Sequence, residues 1–221
     1  VRFTDTSFKQ AQENVLSGNA DVITSLFYSN KRERIFDFTR TMFEVPASIF
    51  VDAQRPDIKG IDDLKGKTVA MQAGDYAKEY LESRNIRCTF TYTSSFAEAT
   101  DLVVSGKADA VIGDEQIVLY HIFSNHLTEK IKKVGDPLYV GNNCMGFKEP
   151  GGMIRDILDA GVEMARQKGI LDQIYKKWLG TTYSQAPSMI QKLFPVVTAF
   201  LGIAVLGGFF IWIWNLRLRQ K

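Results

Sequence analysis

Three short stretches carry charge where an apolar run ends. Ser25–Arg32 (SLFYSNKR) holds Arg32, Gln72–Tyr76 (QAGDY) holds Asp75, and Asp114–Glu115 follow the run Ala110–Gly113. A planar guanidinium grips a carboxylate through two parallel hydrogen bonds, and a carboxylate suits an ammonium group. An arginine and an aspartate brought together from distant segments would therefore hold a small zwitterion. Spacing alone leaves a second reading open, in which Arg32 is one solvated charge of the run KRER and Asp114 merely caps a helix.

Other chemistry finds less support. Gly66-Lys67-Thr68 resembles a phosphate loop, but its spacing from Gly60 is one residue too long and it precedes a strand instead of following one. His121 and His126 are five residues apart, which puts them on different sides of a helix and spoils a zinc site. Asp62 and Asp63 suit a capping turn. There is no Gly-x-Ser-x-Gly elbow, and Cys88 and Cys144 are single, which marks them as packed thiols. We expect no catalytic residue, no metal ligand and no cofactor. The chain of 221 residues carries 27 Lys and Arg against 25 Asp and Glu, and three of the cations (Arg217, Arg219, Lys221) lie in the last seven residues. Taking those three away leaves 24 against 25, so the body is nearly neutral and gives no footing for nucleic acid.

An internal repeat supplies the elements that position the charges. Ser7–Ile23 (SFKQAQENVLSGNADVI) and Ser95–Val111 (SFAEATDLVVSGKADAV) match at eight of seventeen positions with a constant offset of 88. Each copy opens on a capping box, Ser7 with Gln10 and Ser95 with Glu98. Apolar residues at helical spacing follow, and Gly18 and Gly106 stop the helices in a left-handed conformation that costs glycine little. A buried strand is expected after each stop, over Asp21–Ser25 and Asp109–Gly113. Between and after the copies, strands over Lys67–Met71 and Cys88–Tyr92 alternate with helices over Tyr76–Arg84 and Glu115–Ser124. An extended segment over Leu138–Phe147 precedes amphipathic helices over Met153–Gly169 and Ile170–Trp178. This order predicts parallel sheet covered by helices, an α/β fold in two lobes of similar build. In such sheets the ligand crevice lies beyond the carboxyl ends of the strands, where the three charged stretches fall. Cys88 and Cys144 belong to different lobes on this reading, which disfavours a disulfide.

The run Pro195–Trp214 (PVVTAFLGIAVLGGFFIWIW) contains no charge and ends in Trp212 and Trp214 followed by RLRQK. At ~1.5 Å per helical residue it approaches the ~30 Å hydrocarbon thickness of a bilayer. Aromatic residues at the boundary and basic residues beyond it predict a single transmembrane helix over 195–214, in contact with membrane lipid, with residues 1 to about 190 outside and the juxtamembrane residues 215–221 in the cytoplasm.

Four ordered stretches, ADVITSLFYSNKRERIFDFTRTMFE, IDDLKGKTVAMQAGDYAKEYL, GKADAVIGDEQIVLYH and KGILDQIYKKWLG, resemble the bacterial extracellular solute-binding proteins of family 3, over roughly residues 3–180. The resemblance implies a periplasmic-binding-protein-like, type II flytrap: lobe 1 over 1–46, lobe 2 over 47–142 and a return to lobe 1 over 143–182, then a connector over 183–194. Crossover strands would fall near Phe43–Ala47 and Leu138–Met145. It implies that Arg32 clamps a ligand α-carboxylate, that Asp114 holds the α-ammonium, and that Gly74, Asp75 and Tyr76 offer hydrogen bonds at a helix start, with Ser25 and Phe27 completing the site. Departures from the family pattern at Phe27, Tyr28 and Asp75 weaken a general amino-acid reading and leave room for a cationic, aromatic or other ligand. The opening strand and helix of lobe 1 are expected to precede Val1, and an output domain to follow Lys221. Together these features predict a non-catalytic, periplasmic sensing domain of an inner-membrane signalling protein, a histidine kinase or diguanylate cyclase, in which dimerisation is common. The alternative is a membrane-tethered binding component of an amino-acid uptake system.

Overall fold

The computed structural model describes residues 1–178, so the uncharged run 195–214 and the connector before it lie outside the described residues. Among the described residues no helix is long and apolar enough to cross a membrane.

The first repeat copy forms α1 (Phe8–Ser17) and β1 (Ile23–Phe27). Ser7 Oγ accepts from the Gln10 N–H at 3.3 Å, and Gly18 ends the helix at φ +80°. After a 3-10 turn over Arg32–Arg34 come β2 (Phe36–Phe38) and β3 (Phe43–Asp52), then β4 (Thr68–Gln72), α2 (Ala77–Ser83) and β5 (Thr89–Thr93). The second copy forms α3 (Phe96–Val104) and β6 (Ala110–Asp114), with the Ser95 cap and Gly106 at φ +70° in the equivalent places. Then follow α4 (Glu115–Ser124), β7 (Ile131–Lys148), α5 (Gly152–Gln167) and α6 (Ile170–Trp178).

The strands join in one sheet of order β1-β7-β3-β6-β4-β5, with β2 also on β7. Strand β4 lies parallel to both β5 and β6, as the strand–helix alternation requires. Alternation of side chains builds two layers there. Val69, Met71 and Ile112 pack with Ala77 and Leu81 of α2 on one face, while Ala70 and Val111 pack with Phe96, Ala99 and Val103 of α3 and Val118 and Ile122 of α4 on the other. The long strands β3 and β7 pair antiparallel from Phe43↔Asn143 to Asp52↔Ile131 and so tie the two halves of the sheet. The extended segment expected over Leu138–Phe147 is longer than its apolar pattern indicates, because this pairing holds even the polar residues Lys132 and Lys133 in the ladder.

The first repeat strand needs correction. It begins at Ile23, two residues later than expected, and instead of being buried along its length it pairs only with β7, at the sheet edge, leaving Thr24 and Ser25 exposed. Its core is a small cluster of Val15, Ile23, Leu26 and Phe36. Helix α5 is held to the β2–β3 segment mainly by charge. Arg40 bridges Asp159, at 2.9 Å, and Glu163; Arg155 lies 3.7 Å from Asp37; and Arg166 donates to the Thr41 carbonyl. The apolar faces of α5 and α6 stay exposed at Met153, Ile157, Ile174 and Trp178. Both cysteines are free, and burial pushes the Cys88 thiol up to about 11.

Candidate functional site

Position in the fold brings the three charged stretches together. The loop after β1 turns at Ser29, whose Oγ accepts from the Arg32 N–H, and this directs Arg32 inward until only 8% of it is exposed. The loop after β4 supplies Asp75, and the end of β6 supplies Asp114. Arg32, Asp75 and Asp114 all line one cavity of about 300 Å³, together with Ser25 and Phe27 of β1. Five of the seven expected site residues are thus brought to one place.

Neither alternative role holds for the charged pair. Arg32 is not solvated, and Asp114 makes no side-chain cap to α4 although it stands at the helix start. The Oδ1 atom of Asp114 is buried and accepts no hydrogen bond among the described residues. Burial, and then the charge of neighbouring Asp75, hold the Asp114 carboxyl well above the usual carboxylate range. Asp75 plays two parts. Its Oδ1 accepts from the Ala77 N–H at 2.8 Å, capping α2, while its side chain still faces the cavity. Burial raises its pKa, against the opposing pull of that N–H and of the Arg32 charge.

The arginine is not presented as an open fork. Its Nη1 donates to the Phe27 carbonyl and its Nη2 to the Gly74 carbonyl, each at 3.0 Å, and Nε lies 4.0 Å from a Glu79 carboxylate oxygen. Burial lowers its pKa, but a guanidinium starts high enough to stay charged. Gly74 therefore sits behind the cavity wall as a double acceptor, since Gln12 of α1 also donates to its carbonyl at 3.0 Å. A Cβ on Gly74 would come within 2.6 Å of that Gln12 amide, which could swing aside, but the φ of +83° at this position still favours glycine. Tyr76 is also outside the cavity. Its ring lies 5.7 Å from the Arg32 guanidinium and 5.1 Å from the ring of Tyr139, in an aromatic cluster that includes Phe27 and Tyr80.

Residue-by-residue reading of charge missed much of the wall. Phe8 and Phe96, the first residues of α1 and α3, stand at equivalent repeat positions and both line the cavity. The repeat itself was the available signal, because a fold with matched halves places matched residues at the seam. Gln72, Ser95, Ala97, Ile117 and Asn143 complete the wall. Asn143, on β7, donates to Ser25 Oγ at 2.8 Å, and its Oδ1 is buried without a partner among the described residues. Nothing local in the sequence announces that residue. Among the described residues no group of three or more His, Cys, Asp or Glu side chains is arranged to hold a metal.

Known proteins with this build fit the geometry. The chain is 26% identical over 171 residues to the probable amino-acid-binding protein YxeM of Bacillus subtilis, covering 73% of this chain and 62% of that protein. It is 25% identical over 162 residues to the putative ABC transporter arginine-binding protein 2 of Escherichia coli, covering 71% of this chain and 65% of that one. The chain thus spans less than two thirds of the length of these relatives. Among solved structures, a histidine kinase sensor domain with similarity to periplasmic binding proteins superposes with a TM-score of 0.73 at 26% identity, over 79% of this chain and 76% of that one. The two-lobed α/β architecture is shared with such proteins. A profile of one family matches residues 1–181, which takes in the whole described region, and the chain belongs to the bacterial extracellular solute-binding proteins, family 3.

Proposed function

We propose that residues 1–178 bind a small amino-acid-like solute outside the cytoplasm and act as the sensing domain of a membrane-bound signalling protein, a histidine kinase or diguanylate cyclase. The observation that carries the binding role is the shared cavity, in which Arg32, Asp75 and Asp114 converge from segments far apart in sequence. Ser25, Phe27, Gly74 and Tyr76 serve the same site, the first two as wall and the last two as support for Arg32. Membership of an extracellular solute-binding family favours a periplasmic location. The sensing role draws on the likeness to a histidine kinase sensor domain and on the uncharged run 195–214, which would carry lobe closure across the inner membrane. A ligand shifts such an equilibrium only by its differential affinity for the open and closed states. Binding requires no bond making, and the segment is read as non-catalytic.

Calorimetry on the full chain in detergent against the standard amino acids and simple amines tests the binding role. Arg32→Ala and Asp114→Ala should each weaken binding at least tenfold, and unchanged affinity in both would reject the site. A second reading, a tethered component of an ABC uptake system, is favoured by the likeness to the E. coli transporter protein. In membranes of the source cell, solute-dependent phosphorylation or cyclase activity supports the sensor, whereas loss of labelled-solute uptake on gene deletion supports the transporter.

A further inference from the structure

We propose that the solute held in the Arg32–Asp75–Asp114 cavity carries net positive charge, its ammonium or guanidinium group seated between the two aspartates. This inference rests on the binding role above and names the class of ligand.

One guanidinium faces two carboxylates in the cavity, so with both aspartates ionised the wall carries one negative charge in excess. The guanidinium is also the better satisfied partner, with the Phe27 and Gly74 carbonyls and Glu79 around it. Of the two carboxylates Asp114 is the one left short, its Oδ1 buried with no partner among the described residues, whereas Asp75, which faces the same space, accepts from the Ala77 N–H and has the Tyr76 N–H, Tyr139 and Arg32 favouring its charged form. Leaving a buried acceptor unpaired is unfavourable, and more so if it is charged. A donor-only cation supplies the missing hydrogen bonds and the missing charge together. A ligand carboxylate would instead meet Asp75 in the cavity and find each terminal nitrogen of Arg32 with one of its two N–H donors already directed to a backbone carbonyl. The remaining wall suits a cation with an aliphatic stem, because Phe8, Phe27, Phe96 and Ile117 give it apolar surface and ring faces. Helix starts near the cavity do not reverse this polarity. The Ser7 and Ser95 side chains already accept from N–H groups of α1 and α3, and Asp75 does so for α2.

The test is calorimetry on the full chain with lysine, arginine, agmatine, cadaverine, glutamine and glutamate, in wild type and in Asp75→Asn. The asparagine keeps an oxygen for the Ala77 N–H, so α2 stays capped and a loss of binding is not a loss of fold. At least one of the four cations should bind ten times more tightly than glutamine, with glutamate weakest, and Asp75→Asn should reduce that preference tenfold or more. Arginine and agmatine separate the two sources of the cation: equal affinities identify an amine site, and a clear advantage for arginine identifies a basic amino acid. Glutamine or glutamate binding as tightly as any cation, or an unchanged preference in Asp75→Asn, overturns the inference while leaving the binding role standing. Binding of none of the six overturns the inference, and binding of nothing in the wider panel of standard amino acids and simple amines overturns the binding role as well.

Discussion

The two copies of the helix–strand unit share eight of seventeen residues yet are packed to different depths. Helix α3 buries Phe96, Ala99, Thr100 and Val103 between the sheet and α4, whereas α1 buries only Val15. Strand β6 is covered on both faces between β3 and β4, while β1 lies at an edge with two exposed residues. The same local signals therefore produce the same local structure, and the surroundings decide how much stability each residue contributes. The copies also diverge where the site is built. Counting 88 residues on, Ser25, Leu26 and Phe27 correspond to Gly113, Asp114 and Glu115, so the half-buried aspartate of one copy is a buried leucine in the other.

Paired substitutions break or sharpen this comparison. Phe96→Ala removes a ring that is 5% exposed and should cost ~3–5 kcal/mol, against ~1 kcal/mol for Phe8→Ala, whose ring is only half-buried. Urea unfolding midpoints measure both, and equal losses would mean that the copies are packed alike. Exchanging the residues at the strand positions is the next largest effect. Gly113→Ser places a Cβ 2.5 Å from the Phe96 ring and should cost ~1–3 kcal/mol, while Ser25→Gly, at an exposed edge position, should cost under ~1 kcal/mol.

The aspartate that only the second copy carries should leave a mark in pH dependence. Asp114 faces Asp75, with Arg32 and Tyr139 nearby, and its folded-state pKa is raised by burial and then by Asp75. Below the unfolded value of ~3.9 the carboxyl is protonated in both states. As pH rises above that value the unfolded state ionises while the folded state keeps its proton, so stability falls until pH passes the raised folded value, above which it levels off. The slope is at most ~1.4 kcal/mol per pH unit for one group. Thermal melts of ligand-free protein should show this fall in wild type and a flatter profile in Asp114→Asn. A steeper fall in the variant would assign the titration elsewhere.

The smallest effects should be alike in the two copies. Ser7→Ala and Ser95→Ala each remove one cap hydrogen bond, of 3.3 and 3.2 Å, and each should cost about 1 kcal/mol. Equality here alongside inequality at Phe8 and Phe96 would separate what the repeat encodes from what packing adds.

Elements with a local cause were legible in the residues. Helix α4 falls on Glu115–Ser124 as expected, and β4, α2 and β5 fall within a residue or so of their expected ends, because caps, turns and apolar periodicity act over a few positions. The convergence of Arg32, Asp75 and Asp114 was also legible, since loops after sheet strands open toward one side. Tertiary structure decided the rest. Only the meeting of distant segments turns Arg32 toward the Phe27 and Gly74 carbonyls, because a guanidinium bonds whichever acceptors the fold brings within reach. Asp114 is likewise ionisable anywhere, and its unpartnered oxygen is a property of the cavity. Sequence determined which groups reach the seam between the halves. Packing determined which of them are already satisfied there, and hence which remain for a ligand.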